Sequence, residues 1–194
     1  MLGDDLSTIG KAAMEYARMG FAVFPLQPHT KEPFEGSHGF KDATTNVNRV
    51  YGWWKRCPDA NIGMATGAVS GGVFAVDVDD NHDGCEVDGS DSLAEWEAEN
   101  GELPETREHI TGSGGVHMLY RCPSGVSVRS TGDVIPSVQI KSDGGYIVMP
   151  PSVHPNGNRY EIANDREIAE ADALVLKLAS ERGAQETAAF ELPE

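Results

Sequence analysis

A chain of 194 residues with 39% hydrophobic side chains is long enough for one domain with a buried core, which argues against wholesale disorder. Its 15 Lys and Arg face 31 Asp and Glu, a formal net charge of −16 that excludes a clamp holding nucleic acid through many cationic phosphate contacts. The acid is concentrated: residues 77–109 carry 13 acids and one base, but residues 110–160 carry two acids and four bases, so a site that meets nucleic acid through metal ions stays open.

Residues 5–19 have a helical pattern, with Asp5 or Ser7 as cap, Ile9, Ala13, Tyr16 and Ala17 at helical spacing and Gly20 as the stop. Residues 21–25 predict a short strand, 26–45 a loop rich in Pro, Gly, Lys and Thr, and 46–56 a helix carrying Val50, Trp53 and Trp54. The tryptophans suit a helix packed on the core, with base stacking as the functional alternative. Strands are predicted at 61–66 and 73–79, and a helix at 91–100 with Leu93 and Trp96 on one side. Strands follow at 110–111, 116–121, 134–141, 146–149 and 159–162, then a final helix over 166–182 and a small, polar segment after Gly183. This mixed order favours α+β, or α/β with an antiparallel sheet. No apolar run approaches the roughly 18 residues of a membrane helix, so no membrane partner is expected. Cys57, Cys85 and Cys122, at long and unequal spacing, suit a reducing cytoplasm and not a disulfide framework.

The chemistry concentrates on three segments. In Val73-Phe-Ala-Val-Asp-Val-Asp79, alternation puts Phe74, Val76 and Val78 on a core face and Ala75, Asp77 and Asp79 on the other. Two carboxylates pointing the same way would repel each other, and a hard divalent cation, Mg²⁺ or Mn²⁺, relieves that. A strand end entering solvent is the plain alternative. The overlapping run Asp79-Asp-Asn-His-Asp-Gly84 starts like a calcium loop, but its twelfth position is Ser90 and not a bidentate Glu. His82 and Cys85 have no second Cys/His pair at suitable spacing, so no zinc is expected. Thr111-Gly-Ser-Gly-Gly-Val-His117 follows, a glycine turn able to hold phosphate oxygens, then a strand with His117. In the third segment, Val134, Val138 and Ile140 face one side while Ser137, Gln139 and Lys141 face the other; Asp143-Gly-Gly145 turns the chain and residues 146–149 return. Strands sharing one sheet would gather Asp77, Asp79, His117, Gln139 and Lys141 on its open face, a metal-and-phosphate surface.

In this order the segments resemble the bifunctional primase–polymerase (Prim-Pol) domain of the archaeo-eukaryotic primase superfamily, found in phage and plasmid replication proteins. The resemblance spans about residues 9–163 and is carried by Phe24-Pro-Leu26, Lys31-Glu-Pro33, Asp42-Ala-Thr-Thr45, Trp53-Trp54, Pro58-Asp-Ala-Asn-Ile-Gly63, Thr66-Gly67, Val76-Asp-Val-Asp79, Leu103-Pro-Glu-Thr106, the glycine turn with His117, and Asp143-Gly-Gly-Tyr-Ile-Val-Met-Pro-Pro-Ser152. It implies an α+β fold with an RRM-like catalytic sheet packed on an N-terminal αβ lobe. A catalytic domain would fill residues 1–165, and residues 166–194 would lead toward a downstream helicase domain. It also implies metal-dependent, template-directed nucleotidyl transfer in a host bacterial cytoplasm, with single-stranded DNA template, primer and nucleoside triphosphates as partners. By the same resemblance Asp77 and Asp79 hold Mg²⁺ or Mn²⁺, His117 with Ser113, Gly114 and Gly115 contacts the triphosphate, and Lys141 and Lys31 neutralise phosphates. The family's third motif is usually another acid. That position, which would complete the metal site with Asp77 and Asp79, is Gln139 here, an amide and so a weak, neutral metal ligand; Asp143 or Asp80 are possible substitutes, and the departure leaves a degenerate DNA- or nucleotide-binding module as the alternative.

Overall fold

The computed structural model describes residues 2–80 and 87–181. In chain order its main elements are α1 (Thr8–Arg18), β1 (Val23–Leu26), α2 (Val47–Arg56), β2 (Asn61–Ala65), β3 (Val73–Val78), α3 (Gly89–Asn100), β4 (Arg107–Ile110), β5 (Val116–Arg121), β6 (Thr131–Ile135), β7 (Val138–Lys141), β8 (Tyr146–Met149), β9 (Glu161–Ile162), β10 (Ala169–Glu170) and α4 (Ala173–Ser180). This is an α+β fold with two sheets. One has strand order β1-β2-β8, the other β6-β7-β3-β5-β4-β9, with β10 added in parallel to the end of β5. Every other pairing between these strands is antiparallel.

Local signals explain the helix starts. The Ser7 hydroxyl accepts the Gly10 N–H, and the Asn46 side chain accepts from Asn48 and Arg49, so each cap satisfies N–H groups that α1 and α2 would leave without partners. Both helices bury one stripe against the small sheet, including Ala13, Met14, Val50 and Trp54. Trp54 is fully buried and its indole N–H donates to the Ala60 carbonyl at 2.9 Å. It is a core residue, and base stacking is closed to it. Trp53 is half-buried, with the Arg49 guanidinium 4.8 Å above its ring.

β3 is buried on both faces. Phe74, Val76 and Val78 pack with Val138, Ile140, Tyr120, Trp96 of α3 and Val175 and Leu178 of α4. Val73 and Ala75 pack with Leu119 against the small sheet and its helices. The face expected to be open is therefore covered at its Ala75 end, and the two sheets leave a cleft beyond it.

Three other expectations are corrected. Residues 134–141 are not one strand: β6 and β7 form a hairpin, because Pro136 cannot donate to a ladder and Ser137 adopts a left-handed φ of 57°. Ser137 thus leaves the Gln139–Lys141 face, and its hydroxyl donates to the Val87 carbonyl. Residues 146–149 do not return beside β7. The turn at Asp143 carries the chain to the other sheet, where β8 pairs with β2. The C-terminal helix spans only Ala173–Ser180, because residues 169–170 are taken up by β10.

Polar side chains tie the sheets together: the Thr66 hydroxyl donates to the Ser142 carbonyl and the Asp143 carboxylate accepts the Ala68 N–H, each at 2.8 Å. Within the small sheet the Ser152 hydroxyl, just past β8, accepts the Ile62 N–H of β2 at 2.8 Å. Among the described residues no helix is long and apolar enough to cross a membrane.

Candidate active site

The antiparallel registers align one row of side chains across the larger sheet. Asp133 of β6 opposes Gln139 of β7, Gln139 opposes Asp77 of β3, Asp77 opposes His117 of β5, and His117 opposes His109 of β4. Directly opposed residues share a face. The sequence-predicted Asp77, His117 and Gln139 are thus neighbours, and Lys141 sits one step along β7, opposite Ala75.

Asp77, Asp79, His117, Lys141 and Lys31 all line a cleft of about 450 Å³ between the sheets. Phe40, Tyr146, Ile147 and Val148 also line it, and the Tyr146 hydroxyl donates to the Lys31 carbonyl at 2.9 Å, which ties the Lys31 loop to β8. Asp79 is anchored through its backbone: its N–H donates to the Ser137 carbonyl and its carbonyl accepts from Gly89, both at 2.9 Å.

Asp77 is only 8% exposed. His117 Nε2 lies 3.2 Å from its Oδ1 and Lys141 Nζ lies 3.8 Å from its Oδ2. The His117 approach lacks the alignment of a hydrogen bond, so Oδ1 is buried with no hydrogen-bond partner among the described residues. Burial pushes the Asp77 carboxyl up, but the pull of His117, Lys141 and Lys31 outweighs it and holds the group below the ordinary carboxylate range. Asp77 is therefore ionised at neutral pH, in a cleft where two lysines balance the two carboxylates of a strongly acidic protein.

The glycine turn is held by bonds within the protein. Gly114 N–H donates to the Thr111 carbonyl at 3.0 Å, and the Gly112 carbonyl accepts from both Asn156 and Asn158. Thr111 lines the cleft, whereas Ser113, Gly114 and Gly115 are not among its lining residues. Gly115 has a packing reason: a Cβ there would stand 2.2 Å from the Val78 carbonyl oxygen, on the strand end that leads into Asp79. Gly115→Ala is expected to cost about 1–3 kcal/mol, the usual range for overpacking, and to displace Asp79. Thermal melting checks the first effect. An unchanged melting temperature would mean that the turn yields freely.

Gln139 is engaged at both ends. Its amide N–H donates to Asp133 Oδ1 at 2.9 Å, and its carbonyl oxygen accepts from Lys141. The two suggested substitutes for a third acid are also occupied: Asp80 accepts from the Ser90 N–H and hydroxyl, and Asp143 holds Ala68. Most of the calcium-loop run, together with His82 and Cys85, falls in residues 81–86, outside the described residues.

This cleft, with one carboxylate on β3, another just past its end and two lysines, coincides with a match over most of the chain. The family model of the bifunctional DNA primase/polymerase N-terminal domain, Prim-Pol, covers residues 13–174. The chain belongs to the Prim-Pol family. No curated protein matches it at a significant level. In this Prim-Pol domain the cleft also takes Ser130, Thr131, Phe40 and Tyr160, which the sequence left outside any motif, and Gly144, Gly145 and Tyr146, which it held in a motif without a role at the site. Tyr160 packs 6.1 Å from the His117 ring, and burial together with Asp77 and Asp79 pushes its hydroxyl well above the ordinary tyrosine range, so it stays protonated. Periodicity had no means of finding most of these residues: Thr131 lies in β6 ahead of the predicted strand start, and the others come from turns and irregular segments or, as Tyr146, from the facing sheet.

Proposed function

We propose that this primase/polymerase domain carries out metal-dependent, template-directed nucleotidyl transfer in phage or plasmid replication, with Asp77, Asp79 and His117 as its catalytic centre. The observation that carries this reading is the sharing of one cleft by Asp77 and Asp79 with Lys141 and Lys31. Lysines attract and orient the triphosphate, and His117 meets its oxygens beside Asp77. The primer 3′-hydroxyl gives up its proton to water, its oxygen bonds to the α-phosphorus, the α–β phosphoanhydride bond breaks, and pyrophosphate leaves. Asp77 and Asp79 would hold Mg²⁺ or Mn²⁺, which when bound supplies charge neutralisation of the phosphates and a more acidic primer hydroxyl. The donor set fits such an ion: two hard carboxylates line the cleft, and Asp77 Oδ1 is without a hydrogen-bond partner among the described residues. Single-stranded template, primer, nucleoside triphosphates and a helicase domain are the partners this role entails.

Among the described residues no group of three His, Cys, Asp or Glu side chains is placed to hold a metal. Mg²⁺ commonly uses one or two carboxylates and takes its remaining ligands from water and substrate phosphates. The ion should therefore bind with the nucleotide. Calorimetry with Mn²⁺ alone is expected to give weak binding, and a non-hydrolysable triphosphate should tighten it by about tenfold or more. Equal affinity with and without nucleotide would point to a preformed metal site.

The lack of such a three-ligand group among the described residues also favours a second reading, a nucleotide- or DNA-binding module without polymerase activity. Extension of a labelled primer on a single-stranded template separates the two. Extension that depends on Asp77 supports transfer; nucleotide binding without extension supports the module.

A further inference from the structure

Gln139 stands where the resemblance calls for an acid, and its neighbours supply a physical reason for an amide. On one side it meets Asp133 Oδ1 through its N–H, and on the other its oxygen receives the Lys141 ammonium. Lys141 in turn lies 3.8 Å from Asp77 Oδ2, inside the cleft. An ionised carboxylate only accepts hydrogen bonds and an ammonium only donates them. A side chain bridging the two needs a donor at one edge and an acceptor at the other, and an amide has both. A glutamate in place of Gln139 would satisfy Lys141 while setting a second negative oxygen against Asp133, directly across the ladder.

We propose that Asp133 and Gln139 form a positioning pair for Lys141. Asp133 fixes which way the Gln139 amide points, and the amide oxygen holds the ammonium in the cleft, where it meets the anionic end of a nucleoside triphosphate. Neither residue is catalytic; both act through Lys141. The ligand rests on the nucleotide reading given above, whereas the pair itself rests on the contacts. One consequence follows for engineering: an acid in place of Gln139 is accommodated only after Asp133 has lost its charge.

Four proteins test this: the wild-type chain, Gln139→Glu, Asp133→Asn, and the double variant. Each is titrated with a non-hydrolysable nucleoside triphosphate and melted without ligand. Asp133 is exposed, so effects should be those of an exposed charged contact. Gln139→Glu is expected to bind about fivefold more weakly and to melt about 2–4 °C lower. Asp133→Asn should lose less, because asparagine still offers an acceptor oxygen. The double variant should recover most of both losses, because the introduced asparagine can donate its amide N–H to the introduced glutamate. In a Lys141→Ala background, Gln139→Glu should no longer change triphosphate affinity, an outcome that a merely structural role would not produce. Wild-type affinity in Gln139→Glu, or a double variant no better than it, would overturn the proposal. If the wild-type chain fails to bind triphosphate, the nucleotide reading falls, and the melting temperatures still decide the pair, because the like-charge clash exists without ligand.

Discussion

Asp77→Asn is expected to reduce primer extension by on the order of a thousandfold, the scale of losing a preorganised charge at a reacting centre. Asparagine keeps the shape of the side chain, removes its charge and turns one acceptor oxygen into a donor. What it removes is the negative charge beside His117 and Lys141 and one of the two carboxylates proposed to hold the ion. Stability should fall as well. Two parallel carboxylates on a strand suggest mutual repulsion, which would make the neutral variant more stable. The surroundings reverse that sign, because the pull of His117, Lys141 and Lys31 outweighs burial and keeps Asp77 in its charged form. The loss should be modest, about 1 kcal/mol, because Lys141 is partly exposed and can turn to water. Primer extension and thermal melting read the two effects. Activity within tenfold of wild type would remove Asp77 from the centre, and a higher melting temperature would show that repulsion dominates after all.

The acidic strand was legible because period-two alternation is local: Phe74, Val76 and Val78 against Asp77 needs only six residues. Its partners on either side followed from the same rule, which is why Asp77, His117 and Gln139 do fall in one row. Asp133 and His109 were missed for one reason. The predicted strands began at 134 and 110, whereas β6 begins at Thr131 and β4 at Arg107. Alternation cannot speak for residues assigned to loops. Which sheet a strand joins is a different kind of fact. β8 pairs with β2 across more than eighty residues of chain, and nothing in Tyr146-Ile-Val-Met149 distinguishes that partner from β7. The second wall of the cleft was therefore beyond local patterns, although Thr66, whose hydroxyl ties the small sheet to its neighbour, and Ser152, whose hydroxyl braces the small sheet itself, were visible as matches without a role.

Acid should destabilise this domain through His109 well before its ordinary carboxylates titrate. His109 is 1% exposed, and its Nδ1 has no hydrogen-bond partner among the described residues. Burial, with His117 and Arg107 adding to it, lowers its pKa to about 3. The sign follows from proton counting. Between about pH 6.5 and 3 the unfolded chain holds a proton on this imidazole and the folded chain does not, so falling pH favours unfolding. The stability is complete above pH 6.5 and is lost at roughly 1.4 kcal/mol per unit below it, or about 2–3 kcal/mol by pH 4.5. Against a total of about 5–15 kcal/mol for a domain, that is a large fraction. His109→Leu removes the titration at similar volume, so its neutral stability can move either way, but its slope between about pH 6.5 and 4.5 should be shallower by close to one proton. Urea midpoints across that range measure the slope. A variant as acid-sensitive as the wild type would assign the effect to other groups. The same neutrality matters for the cleft, because an uncharged His109 opposite His117 leaves the field at Asp77 to His117, Lys141 and Lys31, all of which line it.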